Sequence, residues 1–123
     1  MKSCLIVDDS RVIRKVARQI LEGMGFGCTE AEDGQQALNE TRKSIPDIIL
    51  LDWNMPIMNG MEFMKQFHGL PNAQGTKIIF CTTENDMTHI REALSAGASE
   101  YIMKPFDADI IRGKLTQLGV ITQ

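Results

Sequence analysis

Five residues of this chain combine reactive chemistry with telling position: Asp8, Asp9, Asp52, Thr82 and Lys104. Each ends or directly follows a short apolar run. Three carboxylates brought within a few ångströms of one another repel and invite a compensating cation. Hard oxygen ligands in an incomplete cage suit Mg²⁺, which keeps several of its waters and often shares its shell with a phosphate. Beside them Lys104 would supply a point charge and Thr82 a hydroxyl donor, both suited to holding a phosphoryl group. Taken singly, each fits a plainer part: a helix cap for Asp8 or Asp9, a loop hydroxyl for Thr82, a solvated charge for Lys104. The richer reading requires a fold that gathers them.

The elements that would do so can be read along the chain. Ile48-Ile49-Leu50-Leu51 runs without polar alternation into Asp52, the pattern of a strand covered on both faces in a parallel sheet. In open α/β sheets the rim at the carboxyl ends of such strands is where ligands bind. Four further strands are expected: Ser3 to Val7, a weaker Gly27 to Ala31, Lys77 to Cys81, and Tyr101 to Met103, with the third spanning Asp47 to Asp52. Ser10 is positioned to cap a first helix that carries Val12, Val16, Ile20 and Ile13, Ala17, Leu21 at helical spacing, with Arg11, Arg14, Lys15 and Arg18 facing water. Gly23 and Gly25 stop it. Glu32-Asp33-Gly34 turns into a second helix with Ala37, Leu38 and Thr41, and Gly60 opens a third with Phe63, Met64 and Phe67. Asp86 heads a fourth with Ile90, Ala93 and Leu94 inward, ended by Gly97; Asp107 heads a fifth with Ile111, Leu115 and Leu118 on one face, ended by Gly119. Helices between successive strands force parallel pairing and right-handed crossovers, hence a doubly wound α/β sandwich.

Bulk properties narrow the function classes. The 123 residues are expected to form one domain, residues 1–123, with roughly two-thirds of the unfolded surface buried. Net charge is −3 with the basic residues scattered, which gives phosphate-backbone binding no support, so no nucleic-acid partner is expected. No apolar run approaches the ~20 residues of a membrane span and the N-terminus has no secretory pattern. Cys4, Cys28 and Cys81 sit inside apolar segments without metal-ligand spacing, as buried thiols of a reducing compartment would. A cytoplasmic location follows as an expectation.

At this point the sequence resembles the receiver domains of bacterial two-component response regulators, and in size the stand-alone, CheY-like ones. The matching pieces are Val7-Asp8-Asp9-Ser10, Leu51-Asp52-Trp53-Asn54-Met55-Pro56 with Asn59-Gly60, Thr82-Thr83-Glu84, Gly97-Ala98 and Lys104-Pro105-Phe106, all in order and each strand-exit piece at its predicted rim. The resemblance implies the flavodoxin-like (βα)5 sandwich with parallel strand order 2-1-3-4-5. It implies that Asp52 is the phosphoacceptor, and that Asp9, Asp52 and the backbone carbonyl of Asn54 bind Mg²⁺ directly, with Asp8 acting through water. Thr82 would donate to the phosphoryl group, Lys104 would pair with it, and Lys104-Pro105 would be a cis peptide. Asn54 and Glu84 match the CheY pair that flanks the phosphoryl group and imply fairly quick self-hydrolysis. Thr83 departs from the family, which usually has a small residue there, often alanine; its β-branched hydroxyl is expected to slow access for small donors and water.

The function so implied is Mg²⁺-dependent phosphoryl transfer from a phosphohistidine, on a sensor histidine kinase or a histidine phosphotransfer protein, to Asp52. The receiver would promote its own phosphorylation and dephosphorylation rather than act as an enzyme on another substrate. Thr82 would move toward the phosphoryl group and Tyr101 would turn inward, a population shift read by a protein target on the face of the fourth helix, fifth strand and fifth helix. His89, Ile90, Ser95, Tyr101 and Met103 are the candidate contacts there. With no second domain expected after Leu118, output would pass through protein contacts of a monomer, in chemotaxis and motor control or as a carrier in a phosphorelay. A haloacid-dehalogenase-type phosphatase would need a second aspartate two residues after the nucleophile, where Asn54 stands. A nucleotide- or flavin-binding module would want a GxGxxG after the first strand, which is missing. A receiver that binds partners without phosphorylation is the remaining alternative, against which the complete residue set argues.

Overall fold

The computed structural model describes residues 2–53, 55–82 and 87–121, the side chains of 87–89 excepted. Five parallel strands, β1 (Ser3–Val7), β2 (Gly27–Ala31), β3 (Ile48–Asp52), β4 (Lys77–Thr82) and β5 (Glu100–Met103), lie in the order β2-β1-β3-β4-β5. The helices α1 (Arg11–Gly23), α2 (Gly34–Lys43), α3 (Gly60–Phe67), α4 (Met87–Ser95) and α5 (Ala108–Gln117) alternate with them, and one 3-10 turn, Ala73–Gly75, precedes β4. This is the flavodoxin-like order. The third strand starts at Ile48, one residue later than expected, although Asp47 still joins both neighbours, its N–H donating to the Ser3 carbonyl and its carbonyl accepting the Lys77 N–H.

Successive strand residues point to opposite faces, and each face has its own core. Leu5, Val7, Ile49, Leu51, Ile78 and Phe80 pack with Leu38, Phe63, Phe67 and Ile90 on one side. Cys4, Ile6, Ile48, Leu50, Ile79 and Cys81 pack with Ala17, Leu21, Ile111 and Leu115 on the other. A strand buried on both faces has no place for an internal polar residue, so the first carboxylate of β3 falls at its end. All three cysteines are buried, and burial pushes the thiols of Cys4 and Cys81 up, so neither ionises near neutrality.

Helix ends follow the capping signals. Ser10 Oγ accepts from Ile13 N–H, Asp33 from Gln36 N–H and Asp107 from Ile110 N–H. Asn59 and Glu62 form a reciprocal capping box at α3. The cap expected at Asp86 lies outside the described residues.

Three helical faces differ from the pattern. Val12 is 71 % exposed and Val16 also faces outward, because the sheet meets only Ala17 and Leu21 squarely; the two valines line a groove with Pro105 and Phe106 instead. Leu94 is largely exposed, since α4 turns Ile90 and Ala93 to the sheet. Arg14 does not face water: its side chain is 12 % exposed and ion-paired with Glu30 of β2. For Val12, Val16 and Leu94 the apolar stripe is wider than the strip of helix that the sheet can contact.

Candidate functional site

The carboxyl ends of β1, β3, β4 and β5 bring Asp8, Asp9, Asp52, Thr82 and Lys104 to one rim. One carboxylate oxygen from each of Asp8, Asp9 and Asp52 lies within 4.8 Å of the others. Asp8 and Asp52 are buried and Asp9 is exposed. Lys104 Nζ donates to Asp8 Oδ2 at 2.6 Å and to Asp52 Oδ1 at 3.1 Å, bridging the two buried carboxylates. Asp8 Oδ1 also accepts the Ser10 N–H at 2.8 Å, so the residue that caps α1 through its hydroxyl orients Asp8 through its backbone. Thr82, the last residue of β4, is buried beside them, and its carbonyl accepts the Lys104 N–H at 2.8 Å. Lys104 and Thr82 are therefore tied through their backbones at the rim. The Lys104–Pro105 peptide is cis.

Charge makes this rim reactive. Burial first and the Asp8 carboxylate second raise the Asp52 carboxyl to about 6, against the opposing pull of Lys104. At neutral pH Asp52 is still mostly a carboxylate. The Lys104 ammonium is pushed up despite its burial, because Asp8 and Asp52 both favour its charged form. Three carboxyl groups against one ammonium leave the rim rich in negative charge. All the clustered donors are carboxylate oxygens, one open to solvent, so the set fits a hard divalent cation that retains water. A softer metal is disfavoured by the absence of sulfur or imidazole among the clustered ligands.

The loop after β3 is pinned on both sides. Trp53 N–H donates to Cys81 O at 3.2 Å, carrying the β3–β4 ladder one step beyond Asp52, and the indole meets Phe80 edge-on at 5.0 Å. Gly60 N–H returns to Trp53 O at 3.1 Å, and Gly34 N–H at the start of α2 binds Met58 O at 3.0 Å. Between them Ile57 is 80 % exposed with φ 69°. A β-branched residue in left-handed backbone is strained.

The structure thus gathers Asp8, Asp9, Asp52, Thr82 and Lys104. Asn54, Thr83, Glu84 and the side chain of His89 lie outside the described residues. Tyr101 stands apart from the cluster on β5, half-buried against the Phe80 side of the core, with Lys114 Nζ 5.3 Å above its ring. Ile90 is buried, so it supports the α4–β5–α5 face from beneath rather than lining it, while Met103 is half-buried on β5. Sequence reading passed over Arg14, whose Nη1 donates to the Asp8 carbonyl at 2.6 Å. Its signal was faint: a basic residue six positions after the first carboxylate, among three other basic residues on the same helix.

Comparison with known proteins agrees with this geometry. The model of the response regulator receiver domain matches residues 4–116. Chemotaxis protein CheY-3 of Vibrio cholerae is 36 % identical over 115 residues, covering 93 % of this chain and 88 % of that protein. A CheY homolog of Campylobacter jejuni is 35 % identical over 113 residues, covering 90 % and 87 %. Among solved structures, Vibrio cholerae chemotaxis protein CheY4 superposes with a TM-score of 0.90 at 33 % identity, over 95 % of this chain and 98 % of that one. A CheY-like receiver domain protein of Methanospirillum hungatei reaches 0.88 at 30 % identity, over 96 % and 93 %.

Proposed function

Since this chain belongs to the response regulator receiver domain family, we propose that Asp52 accepts a phosphoryl group from a phosphohistidine of a sensor kinase or histidine phosphotransfer protein. The observation that carries the reading is the Lys104 ammonium held between the buried Asp8 and Asp52 carboxylates at 2.6 and 3.1 Å. Asp52 attacks phosphorus through a carboxylate oxygen; the P–N bond to the donor imidazole breaks and the imidazole leaves with that electron pair. Such a transition state needs positioning and charge neutralisation more than covalent help. Lys104 neutralises developing charge on the phosphoryl oxygens and Thr82 donates its hydroxyl to one of them. Asp8, Asp9, Asp52 and the Asn54 carbonyl would hold Mg²⁺, which supplies further charge neutralisation when bound. Hydrolysis of the acyl phosphate resets the chain, with Asn54, Thr83 and Glu84 setting its pace. On this reading the protein is a receiver that assists its own chemistry, not an enzyme with a separate substrate.

Output follows as a shift between two packings, with Thr82 drawn toward the phosphoryl group and Tyr101 turning further inward. The changed α4–β5–α5 surface binds a protein target. Relatives named as chemotaxis proteins support a chemotaxis pathway. We take the protein to work in the cytoplasm as a monomer; no described helix is long and apolar enough to cross a membrane.

Trp53 provides the test. Mg²⁺ is expected to change its fluorescence and beryllofluoride to change it further; silence to both would sink the reading. Asp52→Asn should abolish labelling by a phosphorylated kinase while far-UV circular dichroism stays unchanged, and persistent labelling would move the acceptor elsewhere. A pull-down with and without beryllofluoride separates a motor component from a histidine phosphotransfer partner.

A further inference from the structure

Beneath the acidic rim, on the side away from Lys104, lies a chain of charged groups that the proposed chemistry does not use. Arg14 Nη1 donates to the Asp8 carbonyl at 2.6 Å while its Nε donates to Glu30 Oε1 at 3.1 Å. Glu30 Oε2 in turn accepts from Arg18 Nη1 at 2.8 Å, and Arg18 Nε donates to Glu22 Oε2 at 3.1 Å. Arg18 foremost, with Arg14, holds the Glu30 carboxyl below its ordinary value, so Glu30 is a fixed anion at neutral pH. A guanidinium with two rigid donor directions, one on a carboxylate and one on a backbone oxygen, defines an orientation as well as a charge.

The Asp8 carbonyl belongs to the peptide plane that joins Asp8 to Asp9. Fixing that oxygen fixes the plane, and with it the direction in which Asp9 leaves the end of β1. The Asp8 side chain has two other restraints, Ser10 N–H and Lys104. Asp9 is exposed, and no hydrogen bond among the described residues holds its carboxylate. Its place in the cluster is therefore set by its backbone.

We propose that Arg14, anchored by Glu30, is a positioning residue for the Asp9 arm of the divalent-cation site. This rests on reading the acidic cluster as such a site. Orientation and charge predict opposite outcomes, which makes the idea testable. Removing a cation from beside three carboxylates strengthens the local negative field, so charge alone predicts tighter Mg²⁺ binding in Arg14→Met. Loss of orientation predicts weaker binding, by about tenfold, the scale found when groups supporting metal ligands are removed. Arg14→Lys keeps the charge but reaches one partner at a time, so it should bind Mg²⁺ several-fold more weakly than the wild type.

The experiment is Mg²⁺ titration of Trp53 fluorescence in wild type, Arg14→Met and Arg14→Lys, at a temperature where circular dichroism shows the chains folded. Weaker binding in both variants is expected. Affinity equal to or above wild type in Arg14→Met, or fully restored in Arg14→Lys, overturns the proposal; if Arg14→Met does not fold, Arg14→Lys decides. A wild type that ignores Mg²⁺ would remove the cation-site reading and this one together. A responsive wild type with unaltered variants removes this one alone.

Discussion

Gly60 lies so close beneath Asp52 that a methyl group on its Cα would stand 2.7 Å from the Asp52 carbonyl oxygen. The obstacle is backbone, at the end of a fully buried strand, and cannot swing aside. Gly60→Ala is therefore expected to destabilise the protein by about 1–3 kcal/mol, the range for overpacking a close-fitted site. Urea unfolding measures the loss. Trp53 fluorescence should change as well, because Gly60 N–H also holds the Trp53 carbonyl.

Asp52 ionises against the fold. Its carboxyl sits at about 6 in the folded chain, against an ordinary value of 3.8, so the folded state holds that proton more tightly. Stability contributed by the protonated form is consequently lost as pH rises from about 4 to about 6. Asp52→Asn removes this term and should stabilise the protein at pH 7 by about 1–3 kcal/mol, with no gain once both states are protonated at low pH. Thermal melts across that range check both halves. An unchanged pH slope in the variant would show that another group dominates.

Removing Lys104 should expose the repulsion it now covers. In Lys104→Met two buried carboxylates face each other without their shared ammonium, a loss of about 3 kcal/mol for a broken buried pair. The loss should already shrink as pH falls toward about 6, because without Lys104 the Asp52 carboxyl rises further and takes up its proton sooner, and Mg²⁺ should recover part of it at neutral pH. Melting temperatures with and without Mg²⁺ at two pH values give the comparison.

Ile57 carries strain that its exposure does not repay in packing. With φ 69° and 80 % of its surface in water, replacement by Asn is expected to stabilise the fold by about 1 kcal/mol. Chemical denaturation reads the difference; a destabilised Ile57→Asn would mean the side chain makes contacts that matter.

Much of this was legible because a parallel sheet imposes simple rules on sequence. Apolar strands covered on both faces admit polar residues only at their ends, so Asp8, Asp52, Thr82 and Lys104 announced the rim. Contacts between charged residues far apart in sequence have no such periodic signature. Arg14 looked like one more solvated base on α1, and only the position of β2 beside β1 shows that Glu30 and the Asp8 carbonyl meet it. Val12, Val16 and Leu94 were misplaced for a related reason. A helix advertises its whole apolar stripe, whereas a sheet covers only part of it.

The second strand adds no side chain to the acidic cluster, yet the turn after it holds the Met58 carbonyl through Gly34 N–H, and a Cβ on Gly34 would come within 2.5 Å of that oxygen. This bears on how the protein can be engineered. A short strand-to-helix turn such as Glu32-Asp33-Gly34 is, from sequence, an inviting place to insert a tag or open a circular permutant. Here such an insertion would release the loop after β3 and loosen the acid cluster from behind. The connection between α3 and β4 meets the chain far from the rim, at the opposite end of the strands, and is the better place to cut.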